Sequence, residues 1–216
     1  MIALPSLTVR RGSVLLASAC LLAGPGAALT QDAPRRLDLS RTLTYFIAEG
    51  DPESGFVEGD RALAEWALEA WVGALDGSVE VVAAPEESAT IRVYWVPAGA
   101  GLYGEMRARS VDGRLAADVF VRPDTDGLGP SIAAVAREDA LFRDTVVYLT
   151  CVHELGHAFG LGHTSAFDDI MYSFQYGGDL VAYFMRFRER LRDRGDVPTV
   201  SPHSAGDLEA LRRHFR

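Results

Sequence analysis

Lysine and asparagine are absent from these 216 residues, so every one of the 21 basic side chains is arginine and no N-glycosylation sequon exists. Cysteine occurs twice, as Cys20 and Cys151, which rules out a disulfide framework; the fold must be held by its apolar core and any ions it binds. Positive charge is in the minority. The formal net charge is −9 and no basic cluster interrupts the acidic balance, which argues against nucleic acid as a partner. Histidine occurs five times, never before residue 153. Internal repeats and low-complexity tracts are missing, and the length suits one domain with a substantial core.

Residues 1–28 read as a secretory signal. Arg10 and Arg11 form the positive region, Val14 to Ala23 the apolar stretch, and Gly26-Ala27-Ala28 the small residues of a cleavage site. The apolar stretch is too short to span a bilayer comfortably, so export to the medium or periplasm is expected over an uncleaved anchor. Ala17-Ser18-Ala19-Cys20 loosely resembles a lipid-attachment box, but apolar residues continue past Cys20, which disfavours a lipoprotein. Residues 29–40 read as a short polar connector and 41–216 as one catalytic domain, monomeric and without stable membrane insertion once the signal is removed.

Three of the five histidines fall within His153-Glu154-Leu155-Gly156-His157-Ala158-Phe159-Gly160-Leu161-Gly162-His163. On a helix, His153 and His157 are four apart and share a face, where they can hold one cation. Gly160 accepts the left-handed conformation that ends helices, letting the chain turn back and bring His163 to the same ion. Three neutral imidazoles leave a fourth tetrahedral position open, the arrangement of a catalytic zinc rather than a structural one. Glu154 is placed to act as general base on a zinc-bound water.

This long motif, followed by Asp169-Ile170-Met171-Tyr172, resembles the metzincin zinc endopeptidases and, among them, the matrixins. The resemblance implies an α+β, zincin-like domain: a twisted mixed sheet, a long helix behind it, an active-site helix and a C-terminal helix. It makes Met171 the methionine of the turn beneath the metal and Tyr172, Ser173 and Tyr176 candidates for the pocket wall. It also implies a peptide or protein substrate, and admits Ca2+ beside the catalytic Zn2+. Four departures stand out. Thr164 replaces the usual serine after the third histidine, and Ser173 replaces a usual proline. No histidine is available upstream for the matrixins' second zinc, and no cysteine for their latency switch. Asp124, Asp126 and Gly127 fit no full calcium-loop pattern and read as a turn.

Strands are expected at Thr42–Ala48, Val79–Ala83, Thr90–Val96 and Leu115–Val121, the last after an Asp112-Gly113 turn and the candidate for the rim strand above the cleft. Gly99–Gly104 reads as a flexible loop. Helices are expected at Asp60–Leu75, with Trp66 and Trp71 in the core, and at Glu138–Gly160, where Cys151 is a small buried residue. A helical insertion is expected at about 179–195, either walling the cleft or docked with a solvated basic face. The closing helix opens at Ser201-Pro202, and His203 and His214 read as surface residues. The function so read is a secreted zinc endopeptidase. The alternative is a zinc-containing module that captures peptides without cutting them, against which Glu154 argues.

Overall fold

The computed structural model describes residues 37–75, 79–97 and 103–215. The expected signal (1–28) and most of the connector lie outside them. The architecture is α+β, with a five-stranded mixed sheet carrying its helices on one face.

The strands are β1 (Leu43–Ile47), β2 (Val81–Ala83), β3 (Ile91–Trp95), β4 (Gly104–Val111) and β5 (Arg114–Val121), in the order β2-β1-β3-β5-β4. The first four strands of that order run parallel and β4 is antiparallel to β5. Period-two alternation sets the faces: Ile91, Val93 and Trp95 are buried while Arg92 and Tyr94 face outward.

One expectation is corrected here. β5 is an interior strand, paired on both sides; the edge is β4, part of which had been read as a flexible loop. β4 has no buried residue, and Glu105, Arg107 and Arg109 alternate along it, so no apolar stripe announces it. The turn could have. Asp112 (φ 51°) and Gly113 (φ 75°) are both left-handed, as a two-residue hairpin turn of the primed type requires. Such a turn needs a strand on each side, and Val111 duly pairs with Arg114.

Helix α1 (Asp60–Ala74) packs against α3 (Ala140–Ala158), and α3 lies against β4 and β5. Trp71 is fully buried and its Nε1 donates to the Val152 carbonyl at 2.8 Å, fixing α1 on the turn that bears the first histidine. Trp66 is only half-buried, with the Arg194 guanidinium over its ring. Cys151 is fully buried in the core, and burial pushes its thiol far above the usual range.

The expected helix over 138–160 is α3, within two residues at each end. Gly129 (φ 100°) and Pro130 start α2 (Pro130–Glu138), which was not foreseen. The chain then kinks at Asp139, whose side chain accepts from the Phe142 amide at 3.0 Å and caps α3. After the site come α4 (Leu180–Arg188), shorter than expected, and α5 (Ala205–Phe215). The cap of α5 is Ser204, not Ser201. Ser204 Oγ accepts from the Asp207 amide (3.0 Å) while Asp207 accepts from the Ser204 amide (2.9 Å), a reciprocal capping box. His203 is no surface residue: its ring stacks on Trp71 at 4.1 Å, and burial lowers its pKa to about 4. His214 is half-buried as well, against Gly160.

Candidate metal centre

α3 carries His153, Glu154 and His157 on its last two turns. It ends where the sequence says it must. Gly160 has φ +89°, its amide donates to the His157 carbonyl (2.9 Å), and the Leu161 amide reaches back to the Gly156 carbonyl (2.9 Å). This is the paired bond pattern of a Schellman cap, which reverses the chain within two residues. His163 follows and returns to the helix. Its Nε2 lies 3.2 Å from Nε2 of His153 and 3.2 Å from Nε2 of His157.

The other ring nitrogens are already committed. His153 Nδ1 is 2.7 Å from the Ile170 carbonyl and His157 Nδ1 is 2.8 Å from the Leu161 carbonyl. A carbonyl can only accept, so both rings are protonated at Nδ1 and present an Nε2 lone pair to the cleft. Burial lowers the pKa of His153 to about 4, with the neighbouring imidazoles adding to the fall; burial likewise lowers that of His157. Neutral imidazoles crowding their lone pairs together at 3.2 Å are the donor set a divalent cation satisfies. Among the described residues, these three form the one cluster of three or more His, Cys, Asp or Glu side chains arranged to hold a metal ion.

The floor is the turn at 169–172. Met171 is buried, and the space above Gly156 is so tight that a Cβ there would overlap its sulfur. Thr164 and Met171 are joined by backbone bonds (Thr164 amide to Met171 carbonyl 2.9 Å; Ser173 amide to Thr164 carbonyl 3.1 Å), so the third histidine and the turn move as one piece. Below them lies a device the sequence reading missed. The buried carboxylate of Asp207 accepts from the amides of Ile170 (2.8 Å) and Met171 (3.3 Å). Ser204 Oγ also donates to Asp169 at 2.6 Å. The capping box of α5 therefore doubles as the anchor of the turn. A Ser-x-x-Asp pattern three residues into the segment after Ser201 was the available signal.

The histidines open onto a cleft of about 430 Å3. Glu154 lines it, only 7% exposed and without a hydrogen-bond partner among the described residues, and burial with the nearby Glu105 charge raises its pKa to about 8. Tyr172 and Ser173 line the cleft as expected, and Tyr172 is held by a bond from its hydroxyl to the Gly177 carbonyl at 2.8 Å. Tyr176 does not: it is 58% exposed and outside the lining. Further lining comes from Gly104 and Met106 of β4, Leu128, Leu149 of α3, and Leu180 and Phe184 of α4.

Helix α4 thus both docks on the body and walls the cleft. Its arginines are tethers rather than a solvated face: Arg188 pairs with Asp139 at 2.7 Å and Arg186 donates to the Phe167 carbonyl at 2.7 Å. The acidic loop is an Asx turn, with Asp124 accepting from the Asp126 amide (3.0 Å) and Asp126 pairing with Arg137 (3.1 Å).

Compared with known proteins, the chain matches the family described as matrixin over residues 39–179. It matches no curated protein sequence. Among solved structures, archaemetzincin from Methanopyrus kandleri aligns over 84% of this chain and 96% of its own, with 16% identity and a TM-score of 0.44.

Proposed function

Since this chain belongs to the matrixin family of zinc metallopeptidases, we propose that it is a secreted endopeptidase in which His153, His157 and His163 hold the zinc and Glu154 is the general base. The observation that carries this reading is the convergence of the three Nε2 atoms beside a buried carboxylate on one cleft. The tautomers of His153 and His157, fixed by the Ile170 and Leu161 carbonyls, present the ring nitrogens that would hold a zinc ion with His163. Bound zinc supplies Lewis acidity: it polarises a carbonyl and brings the pKa of water to about 7.

The protein's own groups do the rest. Edge strand β4 offers unpaired backbone groups along the cleft, against which an extended peptide can lie. The apolar wall of Leu149, Leu180 and Phe184 takes a substrate side chain and excludes water from it. Glu154 removes a proton from the attacking water and returns it to the leaving amine. Its burial raises the carboxyl pKa above the ordinary glutamate value, which strengthens it as a proton acceptor.

The test is cleavage-site profiling of the purified protein on a mixed peptide library, with zinc, with a chelator, and with zinc restored. The expected result is internal cleavage that the chelator abolishes and zinc restores. Peptide binding with no cleavage in any arm would instead support the capture module, and turnover that survives chelation would refute the metal role. Export is tested separately, by locating the protein and sequencing its N-terminus; a mature chain beginning near residue 29 is expected.

A further inference from the structure

We propose that Gly104 is a positioning residue for Glu154: the missing side chain at 104 leaves the carboxylate its place in the cleft. The inference rests on the base role given to Glu154 above. Gly104 opens β4, in register with Val121, and its main chain passes directly beside α3. A Cβ on Gly104 would lie 2.5 Å from Glu154 Oε1, 2.7 Å from Cγ and 2.9 Å from Cδ. All three are closer than non-bonded carbon atoms approach in folded proteins, so the whole outer half of the glutamate would have to move.

Backbone conformation does not explain this glycine. Gly104 is not among the residues with positive φ, and it sits in a paired strand, where glycine forfeits packing and chain entropy. Glycine in a strand commonly marks a close approach by another group, and here that group is the carboxylate. Glu154 is only 7% exposed, and the open side left to it is the cleft it lines. A side chain at 104 would rotate the carboxylate along the cleft, away from the point where the imidazoles converge. The strand that flanks the substrate also sets the reach of the base, through an absence rather than a contact.

The experiment is a pair of double-variant comparisons on the full chain. In the zinc-loaded enzyme, Gly104→Ala is expected to lower kcat about 100-fold, the loss expected for a misplacement of about 1 Å. Zinc content stays at the parental value, because the three histidines are untouched, and the loss is expected in kcat rather than in KM. In the zinc-free protein, Gly104→Ala is expected to lower the melting temperature by about 3 °C. That cost vanishes in the Glu154→Ala background, which lacks all three colliding atoms. An unchanged kcat, or the same melting cost in both backgrounds, overturns the proposal. If the parent shows no peptidase activity, the proposed function fails, and the thermal comparison still decides whether 104 and 154 collide.

Discussion

His153, His157 and His163 lie within eleven consecutive residues, whereas Gly104, Leu128 and Phe184, which line the same cleft, come from three separate elements. The histidine side is local: one helix turn, one Schellman cap and one reversal bring three ring nitrogens to a point. The further lining is tertiary: it exists only because β4 pairs with β5 and α4 is tethered to α3 by Arg188 and Asp139. The region matched to the matrixin family ends at residue 179, one residue before α4 begins. In the proposed function, metal binding and substrate choice therefore draw on parts of the chain with different origins of order, joined where Gly104 meets Glu154.

The sharpest break in that comparison comes from the histidine side. Glu154→Gln should lower turnover about a thousandfold while zinc content is kept, since the lost group moves protons but holds no metal; metal analysis beside peptide-cleavage rates checks both halves. Next in size is Asp207→Ala, which strips the acceptor from two buried amides of the turn and should cost about 3 kcal/mol of stability in denaturant titration. The same variant should weaken zinc binding at least about tenfold, because the Ile170 carbonyl that orients His153 belongs to that turn.

In the tertiary lining, Phe184→Ala should leave zinc affinity alone and shift the preference between large and medium apolar side chains beside the cut by about 30-fold in kcat/KM ratio. An unshifted ratio would mean that α4 is scaffold only.

The smallest effect concerns pH, away from the cleft. His203 has its pKa lowered to about 4 by burial, so the unfolded chain takes up a proton that the folded one refuses. Its contribution is complete above the unfolded value near 6.5 and is lost as pH falls from there toward 4. His203→Phe, which keeps a ring on Trp71, should flatten the stability profile across that window by about 2 kcal/mol in denaturant titrations of the zinc-free protein.

What could be read in advance follows the same division. The bounds of α1, β1 and β3, the end of α3 at Gly160 and the pairing of Asp112 with Gly113 are all written in short-range pattern, and the structure places them within a residue or two. β4 escaped because an edge strand with solvent on its outer side has no reason to alternate apolar and polar residues. α2 escaped because its buried face is only Ile132, Ala133 and Ala136, too little of an apolar stripe to announce nine residues as a helix. Tyr176 was placed in the wall by the resemblance alone; the glycines at 177 and 178, both at positive φ, carry the chain away beyond it.

Asp207 makes the order of synthesis matter. A ribosome that has delivered the whole histidine motif has still not delivered the carboxylate that fixes the methionine turn under it. The growing polypeptide thus carries the three imidazoles before it carries the group that anchors the turn beneath them. Chains halted at residue 203 should bind zinc more weakly than full-length ones, and equal affinity would show that the turn closes without its distant latch.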